Sequence, residues 1–499
     1  MANHNSAPDL IPDAYSSRAR PAVFGQRVAV SAAHPLAASA ALEVVAKGGG
    51  AADATIAAQA VISVVAPEAG GLGGDAFFLV RRGDGDVIAV NAAGRSASAS
   101  CGSVVADDGT SVTVPGAVAG WGELSARFGK VPLSTALAPA IRIAEEGFMV
   151  RPETIRALAI QKPRLVRGGA EEWPLFGTQY DETVRLPSLA KTLAGIGSFG
   201  TRWFYEGPLG NAISDAVIRQ GGALSSSDMK KHDSVVIEPL GLSWKGLRIY
   251  VQPPMSQGIL LLMALAGFDR LKLSALERDH AAVELAKATF AFRDEVSQGA
   301  ALLANPLTVD LERASERAGP RSYLHTAGVA AADRDGLIVS SLISVFDDFG
   351  SAIYVRDGGF VLNNRAAGFT NTPNDYRPGS LPIHTLAPIL VDTGSACFAL
   401  ATPGADGQVQ TLLQILIGLT VEGLDLPSAI DRARWRSEDG RLLVETGHRS
   451  AEEFAARGHE VLRVALGDTR FGAVVCAGLA RNRPFACSDW RRETWSVAG

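Results

Sequence analysis

The sequence predicts a layered α/β protein in which helices cover the outer faces of strands. Three observations carry this. The N-terminal part alternates short apolar strands with helices of small residues. From Thr326 onward hairpin follows hairpin, and the strands are apolar at every position, so both faces are covered. Behind those hairpins stands VQTLLQILIGLTVEGL (409–424), a helix with apolar residues at three- and four-residue spacing.

In order along the chain, RVAVSAA (27–33) reads as a strand. PLAASAALEVVAK is a helix that stops at Gly48-Gly49-Gly50, as a glycine cap does. AADATIAAQAVISVV is a second helix whose small side chains allow close packing. AFFLVRRGDGDVIAVNAA (76–93) is a strand, a Gly83-Asp84-Gly85 turn and a strand. The middle, 130–320, reads as mostly helical, with LSTALAPAIRIAEEGF, LPSLAKTLAGIG, YEGPLGNAISDAVIRQGG and HAAVELAKATFAFRDEV as helices. Hairpins are expected at 326–345 around D-R-D-G, at 351–364 around Asp357-Gly358-Gly359, and at 386–402 around D-T-G-S. With no tandem repeat and no low-complexity linker, one interwoven domain is expected, preceded by a flexible tail, 1–25.

A chain of 499 residues with a net charge of −5 has room for a large core and no strongly basic face. Nucleic acid and an anionic membrane are therefore not expected as partners. The longest apolar run, GILLLMALAGF, is too short to span a bilayer. Cys101, Cys397, Cys476 and Cys487 are scattered without metal spacing. They read as reduced packing residues, and a cytoplasmic protein is expected.

Several motifs invite chemistry. GGLGGDAFFLV (70–80) lacks the third glycine of a dinucleotide loop and leads into a strand, so it reads as a turn where two backbones approach. Asp347-Asp348 reads as a loop, and His34 as a packing residue that opens a helix. Arg95 stands among Gly, Ala and Ser, which leaves two readings open: a surface ion pair, or a fork that a small anion can reach. TPGADGQVQTLL (402–413) is a turn from strand to helix, which is either an ordinary loop or a source of N–H donors for an oxyanion. Thr326 opens an apolar strand. Inside a chain its hydroxyl is a weak nucleophile. Cut just before it, the new α-amine, with a pKa near ~8, becomes its own base.

The stretches AAHPLAASAALEVVAKGGGAADATIAA, VVAPEAGGLGGDAFFLV, TVPGAVAGWGELSARFGKVPL, LAPAIRIAEEGFMV, QPPMSQG and FGSAIYVRDGGFVLNN follow one another in an order and spacing that resemble the γ-glutamyltransferase family of N-terminal-nucleophile (Ntn) hydrolases. The likeness runs from about residue 25 to the C-terminus, with the character of the oxamate amidohydrolase-like members. It implies a four-layer αββα sandwich and self-cleavage between His325 and Thr326. The products would be a large subunit, 26–325 after the tail, and a small one, 326–499, held together as one domain. It implies Thr326 as nucleophile, Ser344 as the hydroxyl that supports it, and the oxyanion loop at Pro403-Gly404-Ala405. The family's carboxylate-binding arginine corresponds to Arg95.

Departures from the family pattern shape the substrate expectation. Ala327-Gly328 follow the nucleophile in place of Thr-His, and Phe346 takes the place of a substrate-holding Asn. Arg365 brings charge into the N-N-Q-x-D-D segment, and Gly368 replaces the Asp that pairs with an α-ammonium. The serine pair reads His384-Thr385. Such a pocket keeps an anion grip and loses its ammonium grip. The reading is a self-processing amide hydrolase for a small carboxylate-bearing amide such as oxamate, without cofactor or metal, with a dimer of heterodimers as one assembly left open. A γ-glutamyl hydrolase or transferase and an uncleaved, non-catalytic binding protein remain as alternatives.

Overall fold

The computed structural model describes residues 20–99, 102–180, 182–317 and 326–499. His325, Cys101 and most of the expected tail lie outside these residues.

Two seven-stranded sheets form the centre. The first runs, in spatial order, Trp495–Ala498, Val28–Ala32, Ala327–Asp333, Ile338–Ser344, Asp75–Arg81, Val87–Ala92 and Val235–Ile237. The second runs Val23–Phe24, Arg483–Ser488, Val475–Ala480, Ala396–Ala401, Ile389–Asp392, Leu247–Val251 and Leu240–Trp244. Neighbouring strands are antiparallel in both. Both sheets interleave strands from before and after Thr326.

The apolar runs are continuous because each strand packs on two sides. Alternation sends Ala330, Ala332, Ile338, Leu342, Phe77 and Leu79 into the seam between the sheets, against Leu390, Ala399, Val475 and Ala477. The alternate residues, Val329, Ala331, Val339, Ile343, Phe78 and Val80, face helices Pro35–Ala46, Ala51–Val65 and Ala117–Phe128. On the far side, Ile249, Val251, Ile389, Val391, Phe398 and Leu400 face helices Gly258–Asp269, Glu277–Phe290 and Gly407–Thr420. The result is the αββα sandwich of the Ntn hydrolases. Every residue of Ala51–Val65 is buried, and its small side chains let the helix axis approach both the sheet and its neighbouring helices. Each large apolar side chain closed off in these layers contributes about 2 kcal/mol.

Two local expectations are corrected. The middle of the chain holds a hairpin, Leu240–Trp244 with Leu247–Val251, at the edge of the second sheet. Its two-residue turn, Lys245-Gly246, has φ of +46° and +82°, a turn usually signalled by Asn-Gly. The 351–364 hairpin shrinks to Tyr354–Val355 paired with Phe360–Val361. Beyond it the backbone turns to the glycine-rich loop, where Asn363 N–H donates to Gly73 O at 2.9 Å. That loop is a close backbone approach, as its glycines indicate: a Cβ on Gly73 would stand 2.0 Å from Val361 O, and one on Gly74 2.2 Å from Ser344 O.

Candidate active site

The D-R-D-G turn sets the register of its hairpin. Ala327 pairs with Ile343, so Thr326 stands opposite Ser344, and Ser344 in turn pairs with Asp75. All three fall on the seam-facing side of their strands, as Ser340 does when it donates to Leu400 O of the other sheet at 3.0 Å. One row across three strands therefore carries two hydroxyls and a carboxylate. Thr326 Oγ1 donates to Ser344 Oγ at 3.1 Å, and Ser344 Oγ accepts Phe346 N–H at 3.0 Å.

Thr326 lines a cavity of about 230 Å³ with Arg151, Pro403, Thr469, Arg492 and Glu493 among its walls. Arg492 donates to Thr469 O at 2.6 and 3.0 Å. Burial pulls its pKa down to about 10. Arg151 donates to Glu68 Oε1 at 2.5 Å. Neither arginine stands in a motif that singles it out. They reach the cavity from a helix start and from the C-terminal segment, places that sequence reading did not connect with Thr326.

A buried charge cluster adjoins the row. Asp75 Oδ2 meets His384 Nε2 at 3.1 Å and Arg365 Nε at 3.3 Å, and its Oδ1 accepts Gly94 N–H at 3.1 Å. His384 Nδ1 accepts Leu386 N–H at 3.3 Å, so the proton of a neutral ring sits on Nε2 and points to Asp75. Burial, followed by the charge of Arg365, drives the His384 pKa down to about 4. Burial pushes the Asp75 carboxyl up, but the His384 hydrogen bond and Arg365 outweigh it and leave it below the usual range. Arg365 is fully buried, and burial lowers its pKa to about 10. Its Cζ lies 4.4 Å from the centroid of the Phe346 ring. Its Nη1 and Nη2 are buried with no hydrogen-bond acceptor among the described residues.

The backbone around this cluster is firmly tied. Asn363 accepts from Thr113 N–H and Thr113 Oγ1 at 3.1 and 3.0 Å and from Arg365 N–H at 3.0 Å. It also donates to Gly73 O at 2.8 Å. The turn Arg365–Gly368 is thereby pinned to two loops of the large half. Phe346 has φ +84°, a left-handed backbone held by the Ser344 hydroxyl. Gly368 ends the short turn, and its carbonyl accepts from Asn374 Nδ2 at 2.9 Å. Gln257 Nε2 bridges Thr385 O and Ala405 O at 2.8 and 2.9 Å, tying the His384-Thr385 segment to the oxyanion-loop candidate. Gly404 and Ala405 have φ of +117° and +48°, between strand Ala396–Ala401 and helix Gly407–Thr420.

Of the residues singled out in the sequence, Thr326, Ser344, Phe346, Arg365, His384, Thr385 and Ala405 thus join one contact network through Asp75 and Gln257. Gly404 and Gly368 flank it in the chain. Arg95 stands elsewhere: it is exposed, donates to Gly379 O at 3.1 Å, and lines a cavity of about 390 Å³ with Asp228, Lys231 and His232. That cavity shares no lining residue with the one at Thr326. His34 caps its helix by accepting Leu36 N–H at 3.1 Å. Asp347 accepts from Asn364 Nδ2 at 2.7 Å. Away from the seam, His280, Glu284 and His459 bring ligand-type atoms within 4.8 Å of one another. There Lys287 Nζ, 3.1 Å from Glu284 and 3.4 Å from His459 Nδ1, supplies the cation.

Comparison with known proteins agrees with this architecture. The gamma-glutamyltranspeptidase family profile matches residues 37–498. The chain is similar to the oxamate amidohydrolase proenzyme of Klebsiella pneumoniae subsp. pneumoniae, 30% identical over 467 residues that cover 86% of this chain and 87% of that one. It is also 30% identical, over 455 residues covering 83% and 85% of the two chains, to a glutathione hydrolase-like proenzyme of Bacillus subtilis. Among solved structures, cephalosporin acylase from Bacillus halodurans superposes with a TM-score of 0.86 at 26% identity, covering 98% of this chain and 99% of that one. The chain belongs to the gamma-glutamyltranspeptidase family. It is an amidohydrolase or acyltransferase of that family, and both of these curated relatives are named as proenzymes. Among the described residues, no helix is long and apolar enough to cross a membrane.

Proposed function

We propose that Thr326 is the nucleophile, freed by cleavage after His325, and that it hydrolyses a small carboxylate-bearing amide such as oxamate. The observation that carries this is the Thr326 hydroxyl at a strand start, 3.1 Å from Ser344 and open to a cavity. The hydroxyl oxygen attacks the amide carbonyl while the freed α-amine, with a pKa near ~8, takes its proton. In this reading the N–H groups of the Gly404-Ala405 turn, next to Pro403 in the cavity wall, are the donors to the developing oxyanion. The ammonium returns the proton to the leaving nitrogen, ammonia departs in the case of oxamate, and an ester on Thr326 remains. Water then attacks this ester with the same amine as base.

Support for the substrate comes from three sides. No carboxylate stands at Gly368 to pair with an α-ammonium, and a buried guanidinium stands at Arg365. One relative carries the name oxamate amidohydrolase. The glutathione hydrolase-like relative motivates the second reading, a γ-glutamyl hydrolase or transferase. A cytoplasmic location belongs to the same proposal, supported by the free, buried thiols of Cys397, Cys476 and Cys487.

Denaturing electrophoresis of the wild type should give two bands, 1–325 and 326–499, and Thr326→Ala one band without amidase activity. Ammonia release from oxamate, against amine release from a γ-glutamyl anilide, separates the two substrate readings. A wild type that stays intact and hydrolyses neither amide sinks the proposal.

A further inference from the structure

Fully buried arginines are normally saturated with acceptors, because each unmet N–H forfeits its hydration without replacement. Arg365 departs from this. Asp75 takes its Nε, and the Phe346 ring covers one face of its plane. A ring face attracts the charge but does not meet the in-plane N–H groups. The edge formed by Nη1 and Nη2 is left with donors and no acceptor among the described residues. Two parallel donors on one guanidinium edge match the two oxygens of a carboxylate.

The placement also fits. Thr326, Ser344 and Asp75 occupy successive strands of one row, spanning roughly 10 Å at ordinary strand spacing. The nucleophile stands at one end, and at the other stands the carboxylate that holds the guanidinium. Asp75 is anchored from three directions, by His384, Gly94 and Arg365, so it fixes the fork without competing for its outer edge.

We infer that Arg365 is the receptor for the substrate carboxylate and that Asp75 is the positioning residue that aims it. The substrate class is then the monoamides of small dicarboxylic acids, the carboxylate lying on Nη1 and Nη2 and the amide carbonyl at Thr326. An α-ammonium beside that carboxylate would face a guanidinium, so amino acid amides are disfavoured. The catalytic part of this inference rests on the amide-hydrolase reading above; the binding part does not.

The test is a paired series: oxamate, malonamate and succinamate against the neutral diamides oxamide, malonamide and succinamide. Wild type should prefer the monoamide of its best pair, and Arg365→Met should shrink that preference by roughly 30-fold or more. Asp75→Asn should raise KM for the monoamide about tenfold with kcat within a few fold. Added methylguanidinium should restore part of the preference to Arg365→Ala, which a merely structural role would not allow. In parallel, oxalate, malonate or succinate should raise the melting temperature of the wild type but not of Arg365→Met. If the methionine variant does not fold, the KM of Asp75→Asn decides. An active wild type whose preference survives both substitutions overturns the inference and leaves the proposed function standing. So does an active wild type that none of these carboxylates stabilises. A wild type that neither cleaves itself nor hydrolyses any pair, yet is stabilised by a carboxylate through Arg365, overturns the proposed function and leaves the receptor.

Discussion

Arg365 and Arg491 are both closed to solvent, at opposite ends of what a buried guanidinium does in this molecule. Arg491 spends every donor. Its Nε and Nη2 hold Glu445 at 2.8 and 2.5 Å, Nη1 holds Asp489 at 3.0 Å, and the carbonyls of Arg432 and Ile430 take the rest at 3.0 and 3.5 Å. Burial alone would depress its pKa, but Asp489 and Glu445 outweigh it and the net shift is upward. Arg365 has one carboxylate, and burial wins. The difference separates a guanidinium used to close a structure from one with donors to spare. Saturated donors lock the C-terminal segment to strand Arg441–Glu445. Spare ones are costly to fold around, and that cost makes sense where a ligand meets them.

The contrast can be broken in order of effect. Arg491→Met takes three hydrogen bonds from the buried carboxylates of Glu445 and Asp489, leaving Glu445 only backbone donors, and should lose about 3–5 kcal/mol in urea unfolding. A loss no greater than that of Arg365→Met would erase the distinction. The acid limb comes next. His384 is neutral when folded, with a pKa of about 4 against 6.5 for the free group. The unfolded chain therefore binds the extra proton: stability is full above pH 6.5 and falls as pH drops toward 4. The slope is at most about 1.4 kcal/mol per pH unit for this group. His384→Gln should flatten the acid limb across that window, measured as unfolding free energy against pH. An unchanged slope means the ring is charged in the fold. Arg365→Met should cost only about 1–2 kcal/mol, because Asp75 keeps His384 and Gly94 as donors and an under-bonded charge is removed. Smallest is Ala405→Gly. It relieves a left-handed alanine at φ +48° and should raise stability by less than about 1 kcal/mol, visible as a small shift of the melting temperature. A clear loss would show that the methyl group packs rather than strains.

How much of the site was legible follows from sequence distance. Thr326 and Ser344 belong to one hairpin, and once D-R-D-G is read as its turn, their pairing is a matter of counting. The turn 402–413 was legible for the same local reason. Asp75 was not, because its carboxylate gains meaning only when its strand pairs with Ser344 from far along the chain. Gln257 was missed likewise, as an amide whose two acceptors, Thr385 O and Ala405 O, lie on separate segments. For Arg95 the small neighbours spoke for an open fork, yet its side chain turns to Gly379 and a second cavity.

By itself the sequence determined the layering and the hairpin that carries Thr326. These follow from periodicity and turn chemistry, which act over a few residues. Only the tertiary structure decided which arginine, among the described residues, keeps both Nη groups unmet and which carboxylate holds its Nε. Hydrogen-bond saturation is a property of the whole set of groups around a buried atom, and that set is assembled from strands and loops hundreds of residues apart.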